Sequence, residues 1–274
     1  MSHPHNGPGP AVPPIPGGHG TAPGGPAAGG TGPGVPLSIW PGLPAPRSGP
    51  YGPCAGPVTV QAAARVIAVF SRPGDLVAAP DGSAAVIEAA AAAGRPVLGL
   101  IPAPVRDGRA IAGLRARLDP AARPFARLRP GGPALLLAAG DPDAGQAALA
   151  ITGCHGPGCC AGGPEPGGDD GPGVLHAACQ RVLRPGGVLA VITASPAVAP
   201  DGQLADLTGQ AVASARAAGL VYAQHIVLVH AAIRDGQLAP DPAAAADGAA
   251  GLPGGCRVHS DLLIFTKPGG PSRD

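Results

Sequence analysis

The densest group of residues able to do chemistry is Cys154, His155, Cys159 and Cys160. Thiolates and an imidazole are zinc ligands, and a thiolate beside an imidazole is a nucleophile with its base. The spacing argues against both. Structural zinc sites use cysteine pairs separated by roughly two to four residues, with a second pair further along. Cys159 and Cys160 are adjacent, which is poor geometry for gripping one ion, and Cys179 and Cys256 could join them only through the tertiary fold. No oxyanion-hole motif accompanies the Cys–His neighbours. No metal is therefore expected, and the ordinary reading of His155 is a loop histidine. Glu88 falls inside a helical pattern and reads as solvated. Ser195-Pro196 is either a turn or the edge of a site.

Arginine is concentrated in one stretch, at Arg106, Arg109, Arg115, Arg117, Arg123, Arg127 and Arg129. Two readings stand: a solvated helix face with its loop, or a phosphate-contacting surface. The net charge of +1 gives no strong nucleic-acid footprint. His3, His5 and His19 are too dispersed for a metal-binding tract and read as solvated. No apolar run of about 18 residues is present, so no membrane span is expected. Residues 1–20 lack a basic region followed by an apolar one, so no secretory signal is read there. Six cysteines spread along 274 residues are no disulfide framework. The expectation is a cytoplasmic protein with reduced thiols and no membrane partner.

The elements that must position these residues come from an unusual composition. The chain has 46 Gly and 38 Pro, 13% charged residues and 2% aromatics. Alanine carries much of its 45% hydrophobic content, so the core is expected to be thin. Residues 1–36 are more than half Gly and Pro and are expected to be a disordered tail. Residues 37–57, with Trp40 and Tyr51 among prolines, are read as a surface strap. A domain is placed at 58–268, followed by a short tail at 269–274. Within it, helices are expected at 58–70, 83–93, 105–118, 133–139, 174–183 and 204–218. Strands are expected at 76–79, 97–101, 125–128, 147–152, 188–193, 220–229 and 258–265. The alternation implies an α/β fold, a mostly parallel sheet with helices on both faces. The last two strands lack a helix between them and are expected to pair antiparallel at an edge.

The segment Leu183-Arg184-Pro185-Gly186-Gly187-Val188-Leu189 runs from a helix through a Pro-Gly-Gly turn into a buried strand. Here the chain resembles class I S-adenosylmethionine-dependent methyltransferases, in which LRPGG commonly precedes the fifth strand. Ala218-Gly219-Leu220 and two terminal strands fit the same Rossmann-like topology. Further segments narrow the likeness. Ser38-Ile39-Trp40, then Arg72-Pro73-Gly74-Asp75, then Ile233-Arg234-Asp235-Gly236, then His259-Ser260-Asp261 before an apolar strand resemble actinobacterial DNA amino-methylases. The resemblance covers residues 37–268 in order. It implies S-adenosylmethionine as cofactor and DNA as partner.

Carried over position by position, the resemblance places Asp81, Gly82 and Ser83 at the cofactor and Thr152 to His155 at the methyl-accepting atom. Thr152 would hold the amino group and His155 would stand near the aromatic that stacks on a flipped base. The departures bear on activity. The family has an acid and two glycines after its first strand, where this chain has Ala79-Pro80-Asp81-Gly82-Ser83-Ala84. The second strand ends Gly99-Leu100-Ile101-Pro102, with no carboxylate for a ribose diol. Both prolines of the catalytic loop are missing at Thr152-Gly153-Cys154-His155. The expectation is a methyltransferase-like protein of weak or no activity. A working methyltransferase on another substrate and a non-catalytic binding module are the alternatives.

Overall fold

The computed structural model describes residues 35–43, 58–101, 108–154, 172–193, 197–198, 204–234, 237–239 and 259–269. Nearly all of the expected tails, and most of the expected strap, lie outside the described residues.

Apolar runs too short for helices become strands. In chain order these are β1 (Leu37–Trp40), β2 (Val77–Ala79), β3 (Val97–Ile101), β4 (Ala126–Pro130), β5 (Ala147–Cys154) and β6 (Leu183–Thr193). Then follow β7 (Ala197–Val198), β8 (Leu204–Ala205), β9 (Val221–Val229), β10 (Ala232–Arg234), β11 (Gln237–Ala239) and β12 (His259–Thr266). Eight of them form one sheet in the order β1-β9-β12-β6-β5-β2-β3-β4. All its pairings are parallel except those of β12, which runs antiparallel to β6 and β9. The pairs β7–β8 and β10–β11 are small antiparallel ladders.

Helices cover both faces. They are α1 (Val60–Phe70), α2 (Ala84–Ala92), α3 (Arg109–Arg117), α4 (Pro172–Val182) and α5 (Leu207–Ala217). On one face Val66, Ile67 and Ile87 pack with Ile151, Ile192 and Ile264. On the other, Cys179, Val182 and Ala211 pack with Leu189, Val191 and Phe265. Helix α1 starts at Thr59, whose hydroxyl accepts the Ala62 N–H at 3.1 Å, satisfying one of the orphan donors of the first turn.

Several expectations need correction. Residues 37–40 are not laid across the surface but hydrogen-bonded into the sheet, with Leu37 beside His225 and Trp40 beside Leu228. Ser38 and Trp40 alternate toward α1, where Trp40 stacks on Phe70 at 6.4 Å and under the Arg65 guanidinium at 4.8 Å. The antiparallel pair exists but is not at the edge. Leu262 to Phe265 are buried on both faces, so β12 takes an interior place and the shorter β1 becomes the edge. The helix expected at 133–139 is a short 3₁₀ segment, Pro133–Leu137. The helix expected from residue 204 starts at Leu207, where the Asp206 carboxylate accepts the Gly209 N–H at 2.7 Å.

The Pro-Gly-Gly turn is folded into the start of β6. Gly186 has φ +74°, and its N–H donates to the Lys267 carbonyl at 3.0 Å. At Gly187 the backbone passes so close that a Cβ would sit 2.8 Å from the Arg184 oxygen and 3.1 Å from the Ala147 oxygen. The Lys267 ammonium caps α4 by donating to the Gln180 and Leu183 carbonyls at 2.8 and 2.7 Å.

Candidate functional site

Open α/β sheets bind ligands outside the carboxyl ends of their strands, where the strand order reverses. Here the chain builds β2, β3 and β4 outward in one direction, then returns to add β5 and β6 on the other flank of β2. The reversal lies between β2 and β5. The loop after β2 carries Asp81, Gly82 and Ser83, and β5 ends in Thr152, Gly153 and Cys154. The structure therefore brings the cofactor candidates beside the end of β5, where Asp81 meets the Gly153 backbone, while the Thr152 side chain itself is buried. His155 lies outside the described residues, as do Cys159, Cys160, Ser195 and Cys256.

Asp81 spans that crevice. One carboxylate oxygen accepts the Ser83 N–H at 3.1 Å, and the other accepts the Gly153 N–H at 2.8 Å. Gly82 sits at φ +73°, a left-handed conformation that suits glycine and lets the loop fold back over its own strand. Ser83 is the residue before α2, and its side chain makes no capping bond. Ala79, at the end of β2, is fully buried and carries no acid.

Thr152 is completely buried, and its hydroxyl has no hydrogen-bond partner among the described residues. A second residue matches it. Thr193 ends β6, is 1% exposed, and also has an unpartnered hydroxyl. An Ile-Thr pair recurs near the end of β5 (Ile151-Thr152) and at the end of β6 (Ile192-Thr193). Thr152 lies two positions after Ala150, and Thr193 two after Val191, so both face the side covered by α4 and α5.

That face is polar along one row. Asp261 of β12 is the register partner of Thr193. Its carboxylate meets His225 Nε2 at 3.0 Å and accepts the Thr208 hydroxyl at 3.2 Å, tying β9 and α5 to β12. Ser260 points the opposite way, to His230 Nε2 at 2.8 Å. The His259-Ser260-Asp261 motif thus fastens β12 to its surroundings on both faces. His176 of α4 is 2% exposed with Nδ1 unpartnered, and burial lowers its pKa to about 4, so it is neutral at physiological pH. The Cys179 thiol is pushed well above its ordinary range by burial, with the Asp81 charge adding to the effect. It is packing, not a nucleophile.

Three arginines of the stretch, Arg117, Arg127 and Arg129, are paired with carboxylates. Arg129 donates to Asp141 at 2.9 Å and Asp143 at 2.7 Å, and Arg127 to Asp143. The Asp141 carboxyl is held below its ordinary range by the Arg129 hydrogen bond. Arg117 pairs with Glu88 at 3.1 Å, so Glu88 anchors a neighbouring helix and is not merely solvated. Among the described residues no group of three His, Cys, Asp or Glu could hold a metal ion. No described helix is long and apolar enough to cross a membrane.

No family model and no curated protein matches the chain. Solved structures do. A TehB-like SAM-dependent methyltransferase from Corynebacterium glutamicum is 16% identical over 77% of this chain and 88% of that one, with a TM-score of 0.45. A predicted O-methyltransferase from Agrobacterium tumefaciens is 15% identical over 79% and 82%, with a TM-score of 0.47. A geranyl diphosphate methyltransferase in complex with GPP and sinefungin is 14% identical over 76% and 78%, with a TM-score of 0.47. Likeness at this level adds nothing to the strand order. The order itself reverses between β2 and β5 and places an antiparallel last strand inside the far flank of a mostly parallel, Rossmann-like sheet.

Proposed function

We propose that the chain is an S-adenosylmethionine-dependent methyltransferase-like protein, related to DNA amino-methylases, whose methyl transfer is weak or absent. The observation that carries this reading is the Asp81 carboxylate lying across the crevice between β2 and β5. The crevice residues fit the methyl donor poorly. The backbone donors of Ser83 and Gly153 are already occupied by the chain's own carboxylate, and a ligand carboxylate would have to displace it against like-charge repulsion. No acid ends β2, and β3 finishes Gly99-Leu100-Ile101. Loss of a charge-assisted bond to a ribose hydroxyl costs about 1–3 kcal/mol of binding. The DNA relationship rests on the order of the sequence motifs. Within the arginine stretch, Arg117, Arg127 and Arg129 are engaged with carboxylates and are not offered to phosphates. A working methyltransferase on another substrate is the second reading.

Calorimetric titration of the whole protein with S-adenosylmethionine tests the proposal. The wild type is expected to bind only at millimolar ligand or not at all. Asp81→Ala, with its fold verified by circular dichroism, is expected to bind at least about tenfold more tightly, since two backbone donors are released. Micromolar binding by the wild type, weakened in Asp81→Ala, would make Asp81 a ligand for the cofactor and the protein a working enzyme.

A further inference from the structure

The two edges of the main sheet are built differently. Strand β4 ends one side and carries Arg127, Arg129 and Pro130, whose charges and missing N–H discourage another chain from pairing there. Strand β1 ends the other side as Leu37-Ser38-Ile39-Trp40, with no charge. The Pro36 carbonyl accepts the His225 N–H at 2.9 Å, so the backbone groups of the alternate residues 36, 38 and 40 face β9. Those of Leu37 and Ile39 therefore point outward, and among the described residues no strand pairs with them. Their side chains are 66% and 61% exposed, on the sheet face opposite the one where Trp40 meets Phe70. The half-buried Val227 adjoins Ile39 there.

We propose that the β1 edge is a self-association surface whose partner is β1 of a second copy, paired antiparallel about a two-fold axis at Ser38. The pattern is self-complementary. Leu37 opposite Ile39 of the second copy, and Ile39 opposite its Leu37, make two hydrogen-bonded pairs, each exchanging both N–H···O bonds. Opposed residues share a sheet face, so two leucines and two isoleucines gather into one apolar cluster. Pro41 supplies no N–H, which ends the pairing after Trp40. A two-fold contact closes on itself, and the charged β4 edge offers no second site, so the assembly is a dimer and not a fibre. The chain's own segments outside the described residues do not match this edge. None sets two large apolar residues at the alternating spacing of a strand, and most contain prolines, which lack the N–H. The four-residue strip is small beside the roughly 800 Å² per partner of a stable complex, so the dimer is weak, with a Kd on the order of 100 µM.

Sedimentation velocity of the full chain, from about 10 µM to about 1 mM, tests this. The wild type is expected to pass from monomer to dimer over that range. Leu37→Glu and Ile39→Lys, each checked for fold by circular dichroism, are expected to weaken association at least about tenfold. Mixed in equal amounts, the two variants are expected to recover it, because the register sets the introduced carboxylate opposite the introduced ammonium. Amide hydrogen exchange in the wild type needs no variant. Raising the concentration over the same range should slow exchange at Leu37 and Ile39 at least about fivefold, and leave Ser38 and Trp40, which face β9, unchanged. A wild type still monomeric at about 1 mM overturns the proposal. So does dimerisation that ignores both charges or leaves the Leu37 and Ile39 amides exchanging as before, since the contact would then lie on another surface. Failure of the mixed variants to associate overturns the antiparallel pairing.

Discussion

Acid should weaken this fold through one histidine. His176 is enclosed between α4 and the sheet, and burial lowers its pKa from 6.5 to about 4. In the unfolded chain it takes up a proton as the pH falls through 6.5, whereas the folded protein resists until about 4. Protons therefore favour the unfolded state over that window. Stability is fully present above the unfolded value and declines as the pH drops toward the folded one. The separation corresponds to a full effect of about 3 kcal/mol, of which about 2 kcal/mol has been lost by about pH 5. The perturbation is His176→Leu, which fills the same space without a titrating group. Urea unfolding at about pH 7.5, 6 and 5 gives the free energy from the midpoint at constant slope. The wild type is expected to lose about 2 kcal/mol more than the variant across that range. Equal losses in the two proteins would show that His176 is protonated in the folded state, and would refute the reasoning from burial.

Two further outcomes follow from packing. Gly187→Ala forces a Cβ against two backbone oxygens that no side-chain rotation can relieve, and should cost about 2 kcal/mol or more in urea unfolding. A loss under about 0.5 kcal/mol would mean that the β6 entrance moves freely. Asp143→Ala leaves Arg127 and Arg129 without a shared carboxylate, and should destabilise by about 1–3 kcal/mol, less in high salt. A salt-independent loss would point to packing in place of charge.

Sequence reasoning recovered the layers of this fold because they rest on local pattern. The periodic apolar positions of α1, the apolar stretch of β3, and the apolar runs 188–192 within β6 and 262–265 within β12 name their own element types. Strand adjacency was less accessible. Leu37–Trp40 is too short, and too near prolines, to announce a strand, and becomes one only because β9 offers an unpaired edge. The interior place of β12 depends equally on a partner formed far away in the chain. At the site, Asp81 was legible as the one acid of its loop, but not its reach to Gly153, which is a tertiary contact across 72 positions.

The interior position of β12 makes assembly of the sheet depend on the strand that comes latest in chain order among those described. On the ribosome, β2 through β6 can associate as they emerge, each finding a neighbour already made. The strands β1 and β9 cannot join them, because β9 has no contact with β6 except through β12. From the completion of β9 at Val229 until β12 begins at His259, roughly a few seconds of synthesis, the growing chain holds two unfinished sheets. Both present open edges, and β12 has to enter between them antiparallel and in register. Unpaired strand edges of that kind can template pairing with other chains, so this is the interval in which misassembly competes with folding.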